Sequence, residues 1–222
     1  MLRCLILTAL VLPAAATAGV PTWSDIESDT GWEHLTTRNH DVAGPVQVYR
    51  TTIKDITCFM GEGHTTIARD KLLNVALDIK GTIDWSSADV SDGDILSRSG
   101  NELDYYQYLD VPGWTMASDR FWFLHGKIVE ETNKTVFHWT RLENGGAHSA
   151  KHADIVAANS SAIEPPVNVG AWEFLSTGEN NRIRYYVCTD AGGSIPRAVQ
   201  NFGTKSTLPD NVGDIIREAK KR

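Results

Sequence analysis

Residues 104–129 constrain the fold more than any other stretch, because two runs rich in aromatic and β-branched residues flank the turn formers Pro112 and Gly113. This pattern predicts two long strands joined by a corner. Alternate side chains of a strand point to opposite faces of a sheet, and in both runs one alternate set is largely apolar. We predict that this set faces inward. Its members are Leu103, Tyr105, Gln107 and Leu109 in the first strand and Trp122, Leu124, Gly126 and Ile128 in the second.

The N-terminal half of the chain predicts a short helix, three strands and a longer helix. The short helix falls within residues 21–29, and the longer one opens at Thr66 and stops at Gly81, with apolar residues near a period of 3.6 between them. Residues 84–87 are predicted to form a loop. The three strands between the helices are predicted at residues 32–37, 46–53 and 57–61.

The C-terminal half predicts more hairpin-linked strands and a final long helix. Residues 143–161 are small and polar, which favours a loop with a short helical piece. Ser194 is predicted to cap the final helix, which is expected to kink at Leu208-Pro209. Hairpin links imply an antiparallel sheet, so the predicted class is α+β, with a curved sheet holding the last helix. The further strands are predicted at residues 89–98, 136–142, 169–175 and 183–189.

Residues 1–18 have the pattern of a secretory signal peptide. A basic start at Arg3 precedes an apolar run, and Ala16-Thr17-Ala18 forms a small-x-small cleavage site. The apolar run is too short for a membrane span of about 20 residues. We therefore predict an exported protein, periplasmic or secreted, that is cleaved near Ala18 and whose residues 19–222 form one domain.

Two cysteines, Cys58 and Cys188, remain after the predicted cleavage. In an exported protein they can form a disulfide or remain as two buried thiols, and the residues alone leave both alternatives open.

The charge of the chain disfavours nucleic acid as a partner. The net charge is −7, and loss of Arg3 with the leader would make it −8. Phosphate binding requires clustered Lys and Arg, and the one such cluster, Lys220-Lys221-Arg222, is better explained as a complement to a helix C-terminus.

Motifs of metal-dependent and nucleophilic catalysis are weak in this sequence. His148-x-x-x-His152 has helix-compatible metal spacing, but no Glu follows the first His as a metalloprotease requires. Cys58 has no adjacent basic residue that would lower its pKa. Asp119 and Arg120 could serve catalysis, although an ion pair or a turn hydrogen bond is the simpler interpretation. We therefore expect no metal and no cofactor.

Three motifs together resemble the START (steroidogenic acute regulatory lipid-transfer) domain of the helix-grip, or Bet v 1-like, superfamily, in an exported bacterial form. They are Pro112 followed by Asp119-Arg120-Phe121, then Gly170-Ala171-Trp172-Glu173-Phe174, then Asp190-x-x-Gly193-x-x-Pro196. Val48-Tyr49-Arg50, Gly61-Glu62-Gly63 and Asp78 with Asp84-Trp85 fit the same pattern upstream.

The resemblance implies a curved antiparallel sheet around a long C-terminal helix, with a tunnel for a lipid or another apolar molecule. It also implies that the strands carrying Cys58 and Cys188 are neighbours. Sterol-carrying relatives place a carboxylate and an arginine in the tunnel where this chain has Gln107 and Gly126, so a sterol is not implied. The predicted ligand wall is Tyr105, Gln107, Leu109, Trp122, Leu124, Trp172, Phe174, Val199 and Phe202.

Three classes of function remain open at this point. The first is a non-enzymatic, monomeric binding or transport protein for a lipid, with transient membrane contact. The second is a helix-grip enzyme of the cyclase or hydratase type, with His138 and Glu173 or Asp110 as the acid–base pair. The third is a partner-binding module with an exposed patch of Trp residues. We favour the first class.

Overall fold

The computed structural model describes residues 19–111, 117–193 and 197–222, with only the backbone path in residues 197–204. The predicted leader, the Pro112-Gly113 corner and the Ser194 cap therefore lie outside the described residues. Within them the chain forms nine strands: β1 Glu33–His40, β2 Gly44–Ile53, β3 Ile56–Thr65, β4 Val90–Ser99, β5 Glu102–Leu109, β6 Arg120–Glu130, β7 Lys134–Arg141, β8 Val167–Ser176 and β9 Asn181–Asp190.

The nine strands form one curved antiparallel sheet in the order β1-β2-β3-β9-β8-β7-β6-β5-β4. Five helices of the described residues cover it: α1 Trp23–Ser28, α2 Arg69–Ala76, α3 Thr82–Trp85, α4 Ser149–Ala158 and α5 Arg197–Ala219. The predicted class, an α+β helix-grip fold with a curved antiparallel sheet around a long C-terminal helix, is confirmed.

The two faces of the sheet have different covers. Helix α5 packs on β1, β2, β3 and β9, and α2 packs on β7 and β8, all on the face that we call the concave face. Helix α1 packs on the opposite, convex face, where its Ile26 is buried beside Cys58 and Cys188. Helix α4 covers another part of the convex face, at Phe121 and Phe123 of β6.

Glycines allow α5 to lie close to the sheet. A Cβ on Gly61 would lie 3.4 Å from Cβ of Leu208, and a Cβ on Gly63 would lie 2.8 Å from Cγ1 of Val212. The prediction ended β3 at Gly61, whereas the strand continues to Thr65. Gly is a poor strand former in isolation. Here the glycines make room for the apolar side of α5.

The predicted helix that opens at Thr66 and stops at Gly81 is too long. Helix α2 ends at Ala76, because the Asp78 side chain accepts a hydrogen bond from the Gly81 backbone N–H at 3.0 Å and starts a new turn. The hydroxyl of Thr82 donates to the carbonyl of Asp78 at 3.1 Å. As a result, Thr82–Trp85 is helical, and the prediction of a loop at residues 84–87 is wrong at its start.

The prediction for residues 143–161 also needs correction. Residues 143–161 contain a short 3-10 segment, Glu143–His148, and the ten-residue helix α4, so this region is more helical than predicted. Helix α5 runs through Pro209 as a single element, and the kink expected at Leu208-Pro209 stays a prediction. Proline removes one backbone hydrogen bond but need not end a helix whose apolar side is well packed, and Leu208, Val212 and Ile215 are all fully buried.

Candidate functional site

The concave face carries the inward set of residues that the alternation predicted. Leu103, Tyr105, Leu124 and Ile128 are buried in one cluster with apolar residues of α2 and of the second half of α5. Phe121 and Phe123, which alternate with them, lie on the convex face beneath α4. The prediction of the inward set is therefore confirmed.

Burial on the concave face is uneven. Much of the face is tightly packed, as Phe174 and Ile183 have no exposed surface and Phe137 is 1% exposed. Other side chains on the same face are only half-buried. Part of the surface of each of these side chains therefore has no protein atom packed against it. We call these residues the loosely packed set: Gln107, Leu109, Trp122, Tyr185 and Val187.

The structure places seven of the predicted ligand-wall residues on this face. Gln107, Leu109 and Trp122 belong to the loosely packed set. Val199 and Phe202 lie outside the side chains that the structure describes. Their roles in binding stay predictions. The other four are buried in the concave cluster: Tyr105, Leu124, Trp172 and Phe174.

Tyr185 and Val187 were missed as wall residues, although the alternation in β9 could have found them. They share a face with Ile183, which is buried in the concave cluster. Tyr185 stacks on Trp172 with ring centroids 4.3 Å apart and lies 6.0 Å from the ring of Trp139. An aromatic row thus crosses the concave face from β7 to β9.

Two tyrosines of this face are held in the neutral form. Burial raises the pKa of Tyr185 to about 12 and raises the pKa of Tyr105 well above its ordinary value, with a further increase from Tyr185. None of the described residues forms a hydrogen bond with either hydroxyl. Both hydroxyl groups can therefore donate a hydrogen bond to a ligand without carrying a charge.

Gln107 lies opposite Trp122 in the pairing of β5 with β6. We find no hydrogen bond to its side-chain amide within the described ranges, and the residue is half-buried. An amide at the edge of an apolar wall provides both a donor and an acceptor. Gln107 can therefore orient a polar group of a molecule that lies on the wall.

The space above Gly126 is filled by aromatic rings. A Cβ at this position would lie 2.6 Å from Cε2 of Phe137 and 3.2 Å from Cε1 of Tyr105. The position where sterol-carrying relatives place an arginine thus has no room for a side chain here. This packing fits the sequence observation that a sterol is not implied.

The acid–base pair proposed for an enzyme does not lie on the concave face. His138 stacks on Trp23 of α1 at 5.9 Å, and burial lowers its pKa. Glu173 lies 3.5 Å from Arg184, although burial raises its pKa overall. The residues on either side of His138 in β7 and of Glu173 in β8 face the concave side, so His138 and Glu173 face the convex side. Asp110 is exposed.

The two histidines with metal-like spacing bind different carboxylates. Nε2 of His148 lies 3.0 Å from Oδ2 of Asp104, and Nε2 of His152 lies 3.2 Å from Oε2 of Glu164. These contacts join the α4 region to the sheet and to the segment before β8. Among the described residues no group of three or more His, Cys, Asp or Glu is arranged to hold a metal ion.

The two residues at the start of β6 make separate contacts. Asp119 accepts hydrogen bonds from the Tyr108 hydroxyl at 2.7 Å and the Val111 backbone N–H at 3.0 Å, which is the predicted turn hydrogen bond. Arg120 donates instead to the backbone carbonyls of Ser118 and Ala191. The alternative of an ion pair between Asp119 and Arg120 is not what the structure has.

The six Trp residues outside the undescribed segments are all buried or half-buried, and each packs in an apolar cluster. This finding counts against a partner-binding patch made of Trp. In the part of the chain that is described, no helix has the length and apolar character needed to cross a bilayer.

Similarity to known proteins was found at the level of structure. No family model matches the sequence, and no curated protein matches it. Human STARD10 has a TM-score of 0.72 at 16% identity, covering 89% of this chain and 76% of that chain. A STAR-related lipid transfer protein from Xanthomonas axonopodis has a TM-score of 0.68 at 18% identity, covering 86% of this chain and 99% of that chain.

An aromatase/cyclase, Zhui from Streptomyces sp. R1128, is more distant. Its TM-score is 0.51 at 14% identity, with 74% of this chain and 94% of that chain covered. Because the two START structures match most of this chain, its described part has the helix-grip fold of START domains. A shared fold does not by itself determine a function.

Proposed function

We propose that this protein binds a lipid or another hydrophobic molecule between the concave face and α5, and that it carries its ligand without changing it chemically. The observation that supports this proposal is the loosely packed set. Its apolar members retain accessible surface on a face where other side chains are closely packed. Covering that surface with a ligand would contribute about 25 cal/mol per Å² of apolar area.

Polar groups on the same face would orient the ligand. Gln107 and the hydroxyls of Tyr105 and Tyr185 have no hydrogen-bond partner among the described residues. Apolar pockets with a few polar groups are typical of small-molecule sites. The names of the two START-fold proteins, one of them a lipid transfer protein, support the same class of ligand.

An enzyme of the cyclase type is the alternative, supported by the likeness in fold to the aromatase/cyclase. Its first candidate residues, His138 and Glu173, are on the convex face, where they contact Trp23 and Arg184. An acid and a base must reach the bound molecule to act on it. We therefore prefer binding and transport. Turnover of a bound ligand that alanine at either position abolishes would favour the enzyme.

We further propose that the protein is exported, periplasmic or secreted, after cleavage near Ala18, and acts as a monomer with transient membrane contact. The signal-peptide pattern supports export. The disulfide between Cys58 and Cys188 fits an oxidising compartment. N-terminal sequencing of the protein from its own host tests the cleavage, and the retained sequence MLRC would contradict it.

The binding proposal is tested by native mass spectrometry of protein purified from its own host, followed by extraction and identification of the ligand. We expect a bound lipid or similar apolar molecule, and faster lipid transfer between vesicles when the protein is added. If lipid extracts never co-purify with the protein and transfer is no faster, the proposal is wrong.

A further inference from the structure

Arg120 is a buried arginine at the start of β6. Only 4% of its surface is exposed, and it is the one basic residue among the buried residues that the structure describes. Burial lowers its pKa, against an opposing effect of Asp119. A charged side chain in such a place needs hydrogen bonds and a counter-charge.

The hydrogen bonds of this guanidinium are incomplete. Nε donates to the Ala191 carbonyl at 2.9 Å, and Nη1 donates to the carbonyls of Ser118 and Asp119. Nη2 is buried and has no hydrogen-bond partner in the described ranges. A guanidinium can donate five hydrogen bonds in a fork that matches a carboxylate or a phosphate.

The buried acids of the described residues, by contrast, have cations. Glu62 lies 2.6 Å from Nε of Arg184, and Glu173 lies 3.5 Å from Nη1 of the same residue. Asp214 pairs with Arg217. No described carboxylate forms an ion pair with Arg120: its hydrogen-bond partners are neutral carbonyls, and the Asp119 carboxylate acts on it only without direct contact.

The position of Arg120 points to the ligand site. Arg120 lies on the same face of β6 as Trp122 and Leu124, which belong to the concave cluster. A Cβ on Gly193 would lie 3.7 Å from Nη2 and 2.6 Å from Cδ1 of Ile163, so Gly193 borders the guanidinium and the side chain of Ile163 fills the space beside it.

We propose that Arg120 binds the acidic headgroup of the ligand, a carboxylate or a phosphate, through its free Nη2. The inference rests on the proposed function and makes it narrower: the ligand is an anionic lipid whose tail lies on the loosely packed set. The anion would supply the direct ion pair that Arg120 lacks among the described residues.

Matched pairs of lipids test the inference on the unaltered protein, at a pH where the acids are ionised. Palmitate is compared with hexadecanol for the carboxylate, and palmitoyl lysophosphatidate with monopalmitoylglycerol for the phosphate. If Arg120 forms a charge-assisted hydrogen bond with the headgroup, we expect the dissociation constant of the acid to be about tenfold or more lower than that of its neutral partner in at least one pair. The pair with the larger ratio identifies the headgroup.

Variants then assign the preference to this residue. In Arg120→Gln we expect the preference for the acid to fall to about onefold, because the cation is absent. Arg98→Gln removes an exposed arginine of β4 and should keep the preference, which controls for net charge. Arg120→Lys keeps the charge without the fork and should retain part of the preference.

The outcomes separate the two proposals. If acid and neutral lipids bind equally well, the inference is wrong and the binding function stands. If a folded Arg120→Gln protein, judged by circular dichroism and thermal unfolding, keeps the full preference, the inference is also wrong. If none of the four lipids binds, the inference is wrong, and mass spectrometry of the protein from its own host decides the binding function. Where the Gln variant does not fold, the comparison on the unaltered protein can still overturn the inference, and the partial preference expected of Arg120→Lys assigns it to this residue.

Discussion

Cys58 and Cys188 are direct cross-strand partners in β3 and β9, with their Cα atoms 4.3 Å apart and their sulfurs bonded, on the convex face of the sheet. The bond joins residues 130 positions apart in the sequence. The disulfide links β3 to β9 on the face of the sheet opposite to the proposed ligand site.

We predict that Cys58→Ser with Cys188→Ser lowers the free energy of unfolding by about 4 to 5 kcal/mol, since the chain-entropy model assigns that cost to a loop of this length. Denaturant unfolding of the double variant against the parent measures it. Lipid affinity of the folded double variant should be unchanged, because both sulfurs are on the convex face. A loss of affinity with no loss of stability would contradict this assignment.

Trp122 and Trp32 are both half-buried, but they pack on opposite faces of the sheet. We expect Trp122→Leu to weaken lipid binding about tenfold, because apolar contact area worth about 1.4 kcal/mol would be lost. Trp32→Leu is the matched control and should leave affinity unchanged. Titration with a fluorescent fatty acid measures both. Equal effects of the two substitutions would mean that the ligand does not lie on the concave face.

Gly126→Ala should lower the free energy of unfolding by about 1 to 3 kcal/mol, because the new Cβ would overlap the ring of Phe137 and force it to move. The shorter side chain of Phe137→Leu should relieve the overlap. The double variant is then predicted to be more stable than the sum of the two single effects allows. Thermal or denaturant unfolding of all four proteins checks this, and simple additivity would exclude the overlap.

Asp25 ties α1 to the sheet. The Lys54 ammonium donates to Oδ2 of Asp25 at 2.7 Å, and this bond, with those from Thr22, lowers the pKa of the carboxyl from 3.8 to about 2. A lowered carboxyl pKa stabilises the folded state above the unfolded pKa and loses that effect as pH falls through the folded value. The stability difference between the parent and Asp25→Asn should therefore be constant above pH 3.8 and shrink toward pH 2. A difference that does not change in this range would contradict the assigned pKa.

The sequence predicted those parts of the fold in which a local pattern and the tertiary structure agree. The alternation around Tyr105 and Leu124 predicted the inward face, since one side of the strand is buried. The same alternation could not reveal what covers the other side. Phe121 and Phe123 are buried because Ile155 of α4 packs on them, and α4 comes from a stretch whose polar residues lack a helical pattern.

Boundaries were missed where side chains compete with the backbone. The Asp78 side chain ends α2 early through a bond to Gly81, which periodicity does not predict. For the adjacent residues Asp119 and Arg120, the sequence left an ion pair and a turn hydrogen bond as alternatives, and the structure has the turn hydrogen bond of Asp119. The structure directs the donors of Arg120 to carbonyls instead, one of them at Ala191, far along the chain. Contacts between residues distant in sequence are not visible in local patterns.

The central claim, a hydrophobic ligand on the concave face, is tested most directly by photo-crosslinking with a fatty acid that carries a photoreactive group at the end of its chain. Peptide mass spectrometry then identifies the labelled residues. We predict labels on Gln107, Trp122 or Tyr185 and their concave-face neighbours, and loss of label when unmodified palmitate competes. Labels confined to convex-face residues such as Trp23 and Trp32, or labelling that palmitate does not reduce, would contradict the account.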